Sequence, residues 1–560
     1  MTAIGYSDLL LLFEQNYHGI PKPVPLSYAI KNLDHLGLVA AMCRELQIAQ
    51  SIDAALPKTS SHHVSHGQAL VAMILNGLGF HSRTLHLFPN FFADKPLERL
   101  IAPGLRPEHL NDDALGRCLD ALFEAGVSEL YQVLAQQVIS KLGLSCQSLH
   151  LDITSFHVDG QYAFEDDEES QRIQLVKGYS RDHRPELNQA ILELICENQA
   201  GIPVYMQALS GNTNDQKAFK EVAKAHLASL KAAQECRYLV GDAALYTAET
   251  VMTLHEQKRL FVSRVPAKLK EAKTLLSSLQ REALSPLGNG YAGQWVDAQY
   301  GDVPQKWLLL TSEQARKREL HTLTKNLLKS TEASLKQFQR LCQNRFSCEA
   351  DALAALAAFA KEQPYVEIVG AACVALPVYS GKGRPKKEQQ PERYEYQLTG
   401  CAMSDLERVE QARLHSGTFI LATNDCSGQL SMSDLLDIYK SQQSVERGFR
   451  FLKSPEFLTS SLFLKKPERI EALLMVMTCS LMVYAALEHR IRRELKAQNK
   501  TFPDMKKQPG QSPTARWVFL CFGGIHELRV AEAPPMVLGV NAHQRVILDC
   551  LGEAYQRVYS

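Results

Sequence analysis

The sequence predicts an α/β protein in which a mixed-sheet core is interrupted by a strand-rich insertion and flanked by helical parts at both ends. Three observations carry this. Apolar residues recur at helical spacing across residues 30 to 145. From Ser148 the texture changes to short strands alternating with helices. Between about 267 and 415 a basic helix and further strands intervene before core-like texture returns at "GTFILATND", 417 to 425.

The bulk numbers set the frame. At 560 residues and 45% apolar composition the chain has material for about two to four domains of roughly 100–200 residues. Thirteen cysteines contain no C-x-x-C pair, and the closest two, Cys342 and Cys348, lack histidines at zinc-finger spacing, so reduced thiols in a cytoplasm are expected. Charge balances at 61 basic and 61 acidic residues, so nucleic-acid binding would have to come from local patches. The opening "MTAIGYSDLLLLFEQ" has no cationic stretch before its apolar one, and no leader is expected. The longest apolar run, 472 to 487, is interrupted by Thr478 and Ser480 and falls short of the ~20 residues a bilayer needs, so it reads as a buried helix.

In chain order, "HLGLVAAMCRELQIAQSIDAAL", "GQALVAMILNGLGF" and "LNDDALGRCLDALFEAG" predict helices. Leu149, Leu151 and Ile153 then alternate with His150, Asp152 and Thr154, which predicts a half-buried strand with Asp152 on its polar side. The phase slips at Phe156 and Val158, and Asp159-Gly160 signals a hairpin. Further strands are expected at 189–197 and 203–209, a helix from Asp215, and a strand in "RYLVGD" whose unbroken apolar run fits coverage on both faces. A helix after Thr247 and a strand at 259–265 complete this part. Within the insertion, Thr311 and Gln314 suggest a capping box opening a long helix with Leu320, Leu323, Leu327, Leu335, Phe338 and Leu341 on one face. Eight Lys/Arg against three Glu between Thr311 and Arg345 leave that helix basic.

The segment "YKSQQSVERGFRFLK", Tyr439 to Lys453, has no Gly or Pro before Gly448 and is preceded by a second capping box, Ser431-x-x-Asp434. As one helix at ~100° per residue it would place Tyr439, Gln442, Glu446 and Lys453 within an arc of about 60°. Alone, such a stripe is what any solvated helix face shows. It gains meaning from Asp152 and Asp242, each set on or at the end of an inner strand, where an acid is costly unless hydrogen-bonded, paired or metal-bound. Three carboxylates brought together would repel, and a divalent cation relieves this. Magnesium, for which manganese can substitute, prefers such hard oxygen donors, and two ions roughly 3.5–4 Å apart suit phosphodiester displacement. Lys453 could then pair with a phosphate and Tyr439 stack or hydrogen-bond.

Other features have ordinary readings. His150 and His157 are expected to be packed or solvated rather than ligands. Asp159 belongs to a turn, "EDDEES" (165–170) to an exposed hairpin end, and Asn214 or Asp215 of "SGNTND" to a helix cap. The loop "GKGRPKK", with Arg384 and Lys386, is either a mobile surface loop or a basic arm for a DNA groove.

The spacing Tyr439, Gln442, Glu446, Lys453 resembles the Y-(2)-R-(3)-E-(6)-K signature of DDE transposases of bacterial insertion sequences, with Gln442, an uncharged donor, where the family usually has arginine. The resemblance extends to "LDITSFHVDG", "KGYSRDHRPELNQ", "SGNTND", "GDAALYT", "FVSRVP" and "KPERIEALLMVMTCSLMVYAALEHRIR", and looks closest to the insertion-sequence-four superfamily, in an insertion sequence 1634-like group. It implies an RNase H-like core with Asp152, Asp242 and Glu446 as its acids binding two Mg2+ ions. It also implies metal-dependent cleavage at the element's ends and joining of the freed 3′-hydroxyl to target DNA. The expected partners are double-stranded DNA, as terminal inverted repeats and target, and a second copy of the chain in a homodimer. Tyr439, Gln442, Lys453, Arg447, Arg450, Arg384 and Lys386 are the expected DNA contacts, and the expected location is a bacterial cytoplasm at the nucleoid. The domains implied are 1–146 (helical, end binding), 147–266 (core with Asp152 and Asp242), 267–415 (insertion), 416–495 (core with Glu446) and 496–560 (C-terminal part). The rival readings are a structure-selective nuclease on the same core and a catalytically inactive DNA-binding regulator.

Overall fold

The computed structural model describes residues 28–56, 63–80, 83–158, 162, 172–180, 184–214, 236–363, 365–380, 389–443, 448, 451–453, 464–530 and 533–560. The chain forms two compact units, Met1–Arg237 with Ser441–Ser560, and Tyr238–Lys440.

The first unit is built around the helix Pro467–Ala497, which contains the long apolar run. Its residues from Ala472 to Val483 are all buried because other elements surround it: helices Leu36–Glu45, His66–Gly77, Asp112–Glu124, Val127–Leu142 and Ala542–Leu551, and strand Pro203–Ser210. A membrane-length apolar helix is therefore a core element here. The N-terminal part is not purely helical: Tyr28–Asn32 is a strand paired antiparallel with His526–Val530, which in turn pairs with Met536–Leu538.

The same unit carries a meander of three antiparallel strands, Ser148–Val158, Asn188–Glu197 and Pro203–Ser210. Two sequence expectations need correction. The first strand is buried on both faces rather than half-buried, with Leu149, Leu151 and His150 all fully covered. Its register also runs unbroken from Leu149 to Val158, so the apparent phase slip is not a bulge. Phe156 and Val158 lie on the face that turns onto the helical core, together with Leu192, Leu194 and Met206, and that face simply becomes apolar along its length. The hairpin expected at Asp159-Gly160, the acidic run 165–170 and the helix from Asp215 lie outside the described residues.

"KGYS" and "SGNTN" form one knot on this meander. A Cβ on Gly178 would lie 2.0 Å from the Gly211 carbonyl oxygen, and one on Gly211 would lie 2.1 Å from that of Gln189, so only glycine allows the approach. The buried Gln189 amide closes it by donating to the Gly211 carbonyl at 2.7 Å and the Tyr179 carbonyl at 3.2 Å.

In the second unit Tyr238–Gly241 runs parallel to Leu260–Arg264, linked by helix Ala248–Glu256 with Thr247 as its cap. All four residues of Tyr238–Gly241 are buried, as its unbroken apolar run requires. Leu260–Arg264 then pairs with Thr418–Thr423, and the sheet continues through Val303–Ser312, Tyr291–Tyr300 and Ser285–Gly288, all antiparallel. An antiparallel meander followed in sequence by a parallel strand pair is the strand set of an RNase H-like mixed core. A separate ribbon, Val366–Val378 with Arg393–Ser404, is covered by helices Glu313–Gln343 and Glu349–Glu362.

The long basic helix begins one residue later than its capping signal suggested. Ser312, not Thr311, caps it, accepting from the Ala315 N–H at 3.3 Å, because Thr311 is still a strand residue paired with Thr418. Only Ser334 and Phe338 of this helix are fully buried.

Candidate active site: two aspartates and the approach to Glu446

Asp152 sits mid-strand, opposite Leu194, and is half-buried. Its Oδ1 accepts from the Ile153 N–H at 2.8 Å, which fixes the carboxylate against its own strand. Two residues earlier on the same face, His150 is fully buried, and its Nε2 is 2.9 Å from the Ser441 hydroxyl. Burial pushes the His150 imidazole down to about 4, so the ring is neutral at physiological pH. His157 is half-buried, with Nε2 3.3 Å from the Ser180 hydroxyl. Both histidines are therefore hydrogen-bonded to serine hydroxyls.

Ser441 opens the segment that leads into Glu446. The helix Met432–Lys440 is capped by Ser431, whose hydroxyl oxygen accepts from the Asp434 N–H at 3.1 Å. It does not run on uninterrupted as the sequence suggested: Ser441 and Gln442 form a turn before helical backbone resumes at Gln443. The cause is tertiary, since Ser441 is fastened to His150 and Gln442 is buried at 6% exposure. Tyr439 and Lys453 thus do not share one unbroken helix. Beyond the turn the chain is held again: Gly448 packs against Leu481, the Phe451 and Tyr484 rings lie 4.0 Å apart, and Leu452 is in the core. Glu446, Arg447 and Arg450 lie outside the described residues, as do Arg384 and Lys386. Lys453 is half-buried.

Asp242 and Tyr439 belong to the second unit. Asp242 follows the carboxyl end of strand Tyr238–Gly241, the end at which open α/β sheets place their ligands. Its Oδ1 accepts from the Ala244 N–H at 2.9 Å, and the Ser263 hydroxyl donates to its main-chain carbonyl at 2.8 Å, so its backbone is held from the neighbouring strand. Tyr439 packs, half-buried, against the cluster of Tyr238, Val240, Val262 and Leu308.

Among the described residues no three His, Cys, Asp or Glu side chains gather as a cation-ligand set. The individual donors do suit a hard divalent cation. Both aspartates are half-buried carboxylates on or beside buried strands, and carboxylate oxygens are the donors such a cation takes.

The buried histidine yields a stability prediction. His150, like the buried His35, has its folded-state value lowered by burial from 6.5 to about 4. The unfolded chain therefore takes up the proton first. The contribution is complete above pH 6.5 and is lost as pH falls toward 4, at ~1.4 kcal/mol per pH unit per group. Glu471 works in the opposite sense, pushed up to about 7 by burial, then by Glu129 and Glu468; its contribution is full below pH 4.5 and is lost as pH rises to 7. In His150→Gln an amide keeps a partner for Ser441 without titrating. Its unfolding free energy, followed by denaturant titration between pH 6.5 and 4, should fall less steeply than the wild type's by about one proton. Equal slopes would rule out His150 as a contributor.

A family described as "Transposase DDE domain" matches residues 150–483, more than half of the chain. Residues 28–136 match a family described as "Domain of unknown function (DUF4277)". None of the curated proteins matches. Among solved structures, the cryo-EM structure of the piggyBac transposase synaptic complex with hairpin DNA is similar at 9% identity and a TM-score of 0.37, covering 94% of this chain and 87% of that one.

Proposed function

Since the chain belongs to the transposase DDE-domain family and is a DNA transposase, we propose that Asp152, Asp242 and Glu446 are its three catalytic acids and that it cleaves the ends of an insertion sequence and joins the freed 3′-hydroxyl to target DNA. The observation that carries the assignment is the 2.9 Å contact between His150 and Ser441. It fastens the segment leading into Glu446 to the strand that bears Asp152, on the same face.

Each side chain then has a defined task. The Ile153 and Ala244 N–H groups orient the carboxylates of Asp152 and Asp242. Neutral His150 holds Ser441 without adding positive charge beside Asp152. Two magnesium or manganese ions held by the three acids would neutralise the scissile phosphate and activate the attacking oxygen. Lys453, Tyr439, Arg447, Arg450, Arg384 and Lys386 would contact the DNA, whereas Gln442, at 6% exposure, could reach it only if the turn at 441–442 opened. Residues 1–146 would bind the terminal inverted repeats, 147–266 and 416–495 would form the catalytic core, 267–415 its insertion, and 496–560 would add DNA or dimer contacts. The signature supports placement in the insertion-sequence-four superfamily, insertion sequence 1634-like, acting as a homodimer at the nucleoid.

The test is a reaction of the full chain with labelled DNA carrying its terminal repeats, with and without Mg2+. Strand-transfer products joined at a defined terminal nucleotide are expected, whereas cutting of branched or nicked DNA without joining would overturn the proposed end cleavage and joining and leave only structure-selective nuclease action. For Lys453→Ala, binding to cleaved ends should weaken and the salt dependence should lose about 0.9 from its log–log slope, one phosphate contact. An unchanged slope would place Lys453 off the DNA.

A further inference from the structure

The helix Glu313–Gln343 has two opposed faces, and only one is accounted for by the fold. Ser334 and Phe338 are buried and Leu320, Leu323, Leu327 and Leu341 half-buried. Wound at ~100° per residue, these six lie within about 60° of one another. Arg318, Lys325, Lys329, Lys336 and Arg340 lie within about 60° of one another on the opposite side. All five are exposed. From Arg318 to Arg340 the row is about 33 Å long at ~1.5 Å per residue. Of these five, only Lys336 has an ion pair among the described residues, with Glu332 at 2.7 Å, an exposed helical pair of the kind that contributes little.

We propose that this stripe is a phosphate-contact track for duplex DNA, binding the backbone without reading sequence. A row of five like charges costs the isolated helix some stability through repulsion between neighbours four residues apart, such as Lys325 with Lys329 and Lys336 with Arg340. A polyanion laid along the row turns that cost into attraction. Its length equals about one turn of B-DNA, roughly 34 Å. Duplex DNA presents one negative charge per ~1.7 Å of axis, so a straight row meets several phosphates at once. Single strands call for aromatic platforms between the cations. The other positions within about 20° of the row, between Arg318 and Arg340, are Thr322, Glu332 and Ala333, none of them aromatic. The choice of DNA over another polyanion rests on the transposase reading, whereas the stripe itself does not.

The experiment is a salt titration, from 50 to 200 mM, of the full chain binding a 40-base-pair duplex that lacks the element's ends. In the triple variant Lys325→Gln, Lys329→Gln, Lys336→Gln the log–log slope should drop by about 2.7 and affinity at 0.1 M salt by on the order of 100-fold. The side chains are exposed and their mutual repulsion is relieved, so thermal unfolding should not fall below the wild-type temperature. The variant Lys268→Gln, Lys270→Gln, Lys273→Gln, equal in charge but off the stripe, should stay near wild type. An unchanged slope in the first variant, or an equal loss in the second, overturns the proposal. So does a loss confined to single-stranded RNA or anionic vesicles with duplex binding intact. End cleavage by the stripe variant is scored separately, so failure of the catalytic assignment at Asp152 leaves this readout intact.

Discussion

Asparagine in place of Asp152 is expected to lower Mg2+-dependent end cleavage by ~10³-fold or more, about 4 kcal/mol of barrier at 1.36 kcal/mol per tenfold, while end binding stays measurable. The substitution isolates charge from shape. The asparagine carbonyl oxygen can still accept from the Ile153 N–H that now holds Asp152 Oδ1, so the strand, buried on both faces, keeps its local bonding. What disappears is the negative oxygen that a hard cation requires. The same logic makes Asp242→Asn the matched test, since the Ala244 N–H keeps its acceptor. Cleavage of labelled ends over time, with Mg2+ or Mn2+, gives the answer. A variant that cuts at the wild-type rate removes its residue from the chemistry, and loss of binding together with cleavage would point to a structural role instead.

What the sequence disclosed and what it hid follow from the range of the forces involved. Strands Asn188–Glu197, Pro203–Ser210, Tyr238–Gly241 and Leu260–Arg264 were legible because their patterns are local, an apolar run or alternation bounded by polar residues. The core helix Pro467–Ala497 was legible for the same reason. The pairing of Tyr28–Asn32 with His526–Val530 joins segments some 500 residues apart, and nothing in either announces the other. The turn at Ser441-Gln442 contains no Gly or Pro; a distant histidine makes it. Thr311 and Ser312 are chemically equivalent caps, and the choice between them was made by strand pairing with Thr418. At the candidate site the acids stood out as isolated polar residues in apolar strands. Their anchors did not, because His150 and Ser441 acquire meaning only once the fold brings them together.

The largest effect on stability is expected at Arg99, where the two ends of the first unit meet. The Glu527 carboxylate is 1% exposed and bracketed by Arg99 Nε at 2.6 Å and Arg529 Nε at 2.7 Å. Arg99 Nη1 also donates to the main-chain carbonyls of Val558 at 3.1 Å and Ser560 at 2.9 Å. Burial alone would raise the Glu527 carboxyl, but Arg529 and then Arg99 outweigh it and hold the group below its usual range. In Arg99→Ala a buried charge keeps one partner of two and two carbonyls lose their donor, a change of roughly 3 kcal/mol in unfolding free energy. Arg99→Met combined with Glu527→Gln should recover much of that loss, because no uncompensated charge is left. The sign with pH is fixed. A carboxyl held low contributes fully above pH 4.5 and loses that contribution as pH falls through its depressed value. The Arg99→Ala variant should therefore approach wild type as the medium becomes strongly acid, where Glu527 is neutral in both. Denaturant titration at pH 7 and at pH 3 separates the outcomes. A deficit below about 0.5 kcal/mol at pH 7, the size of an ordinary surface substitution, would mean that Arg529 alone suffices and that Arg99 does not join the N-terminal helices to the C-terminal segment.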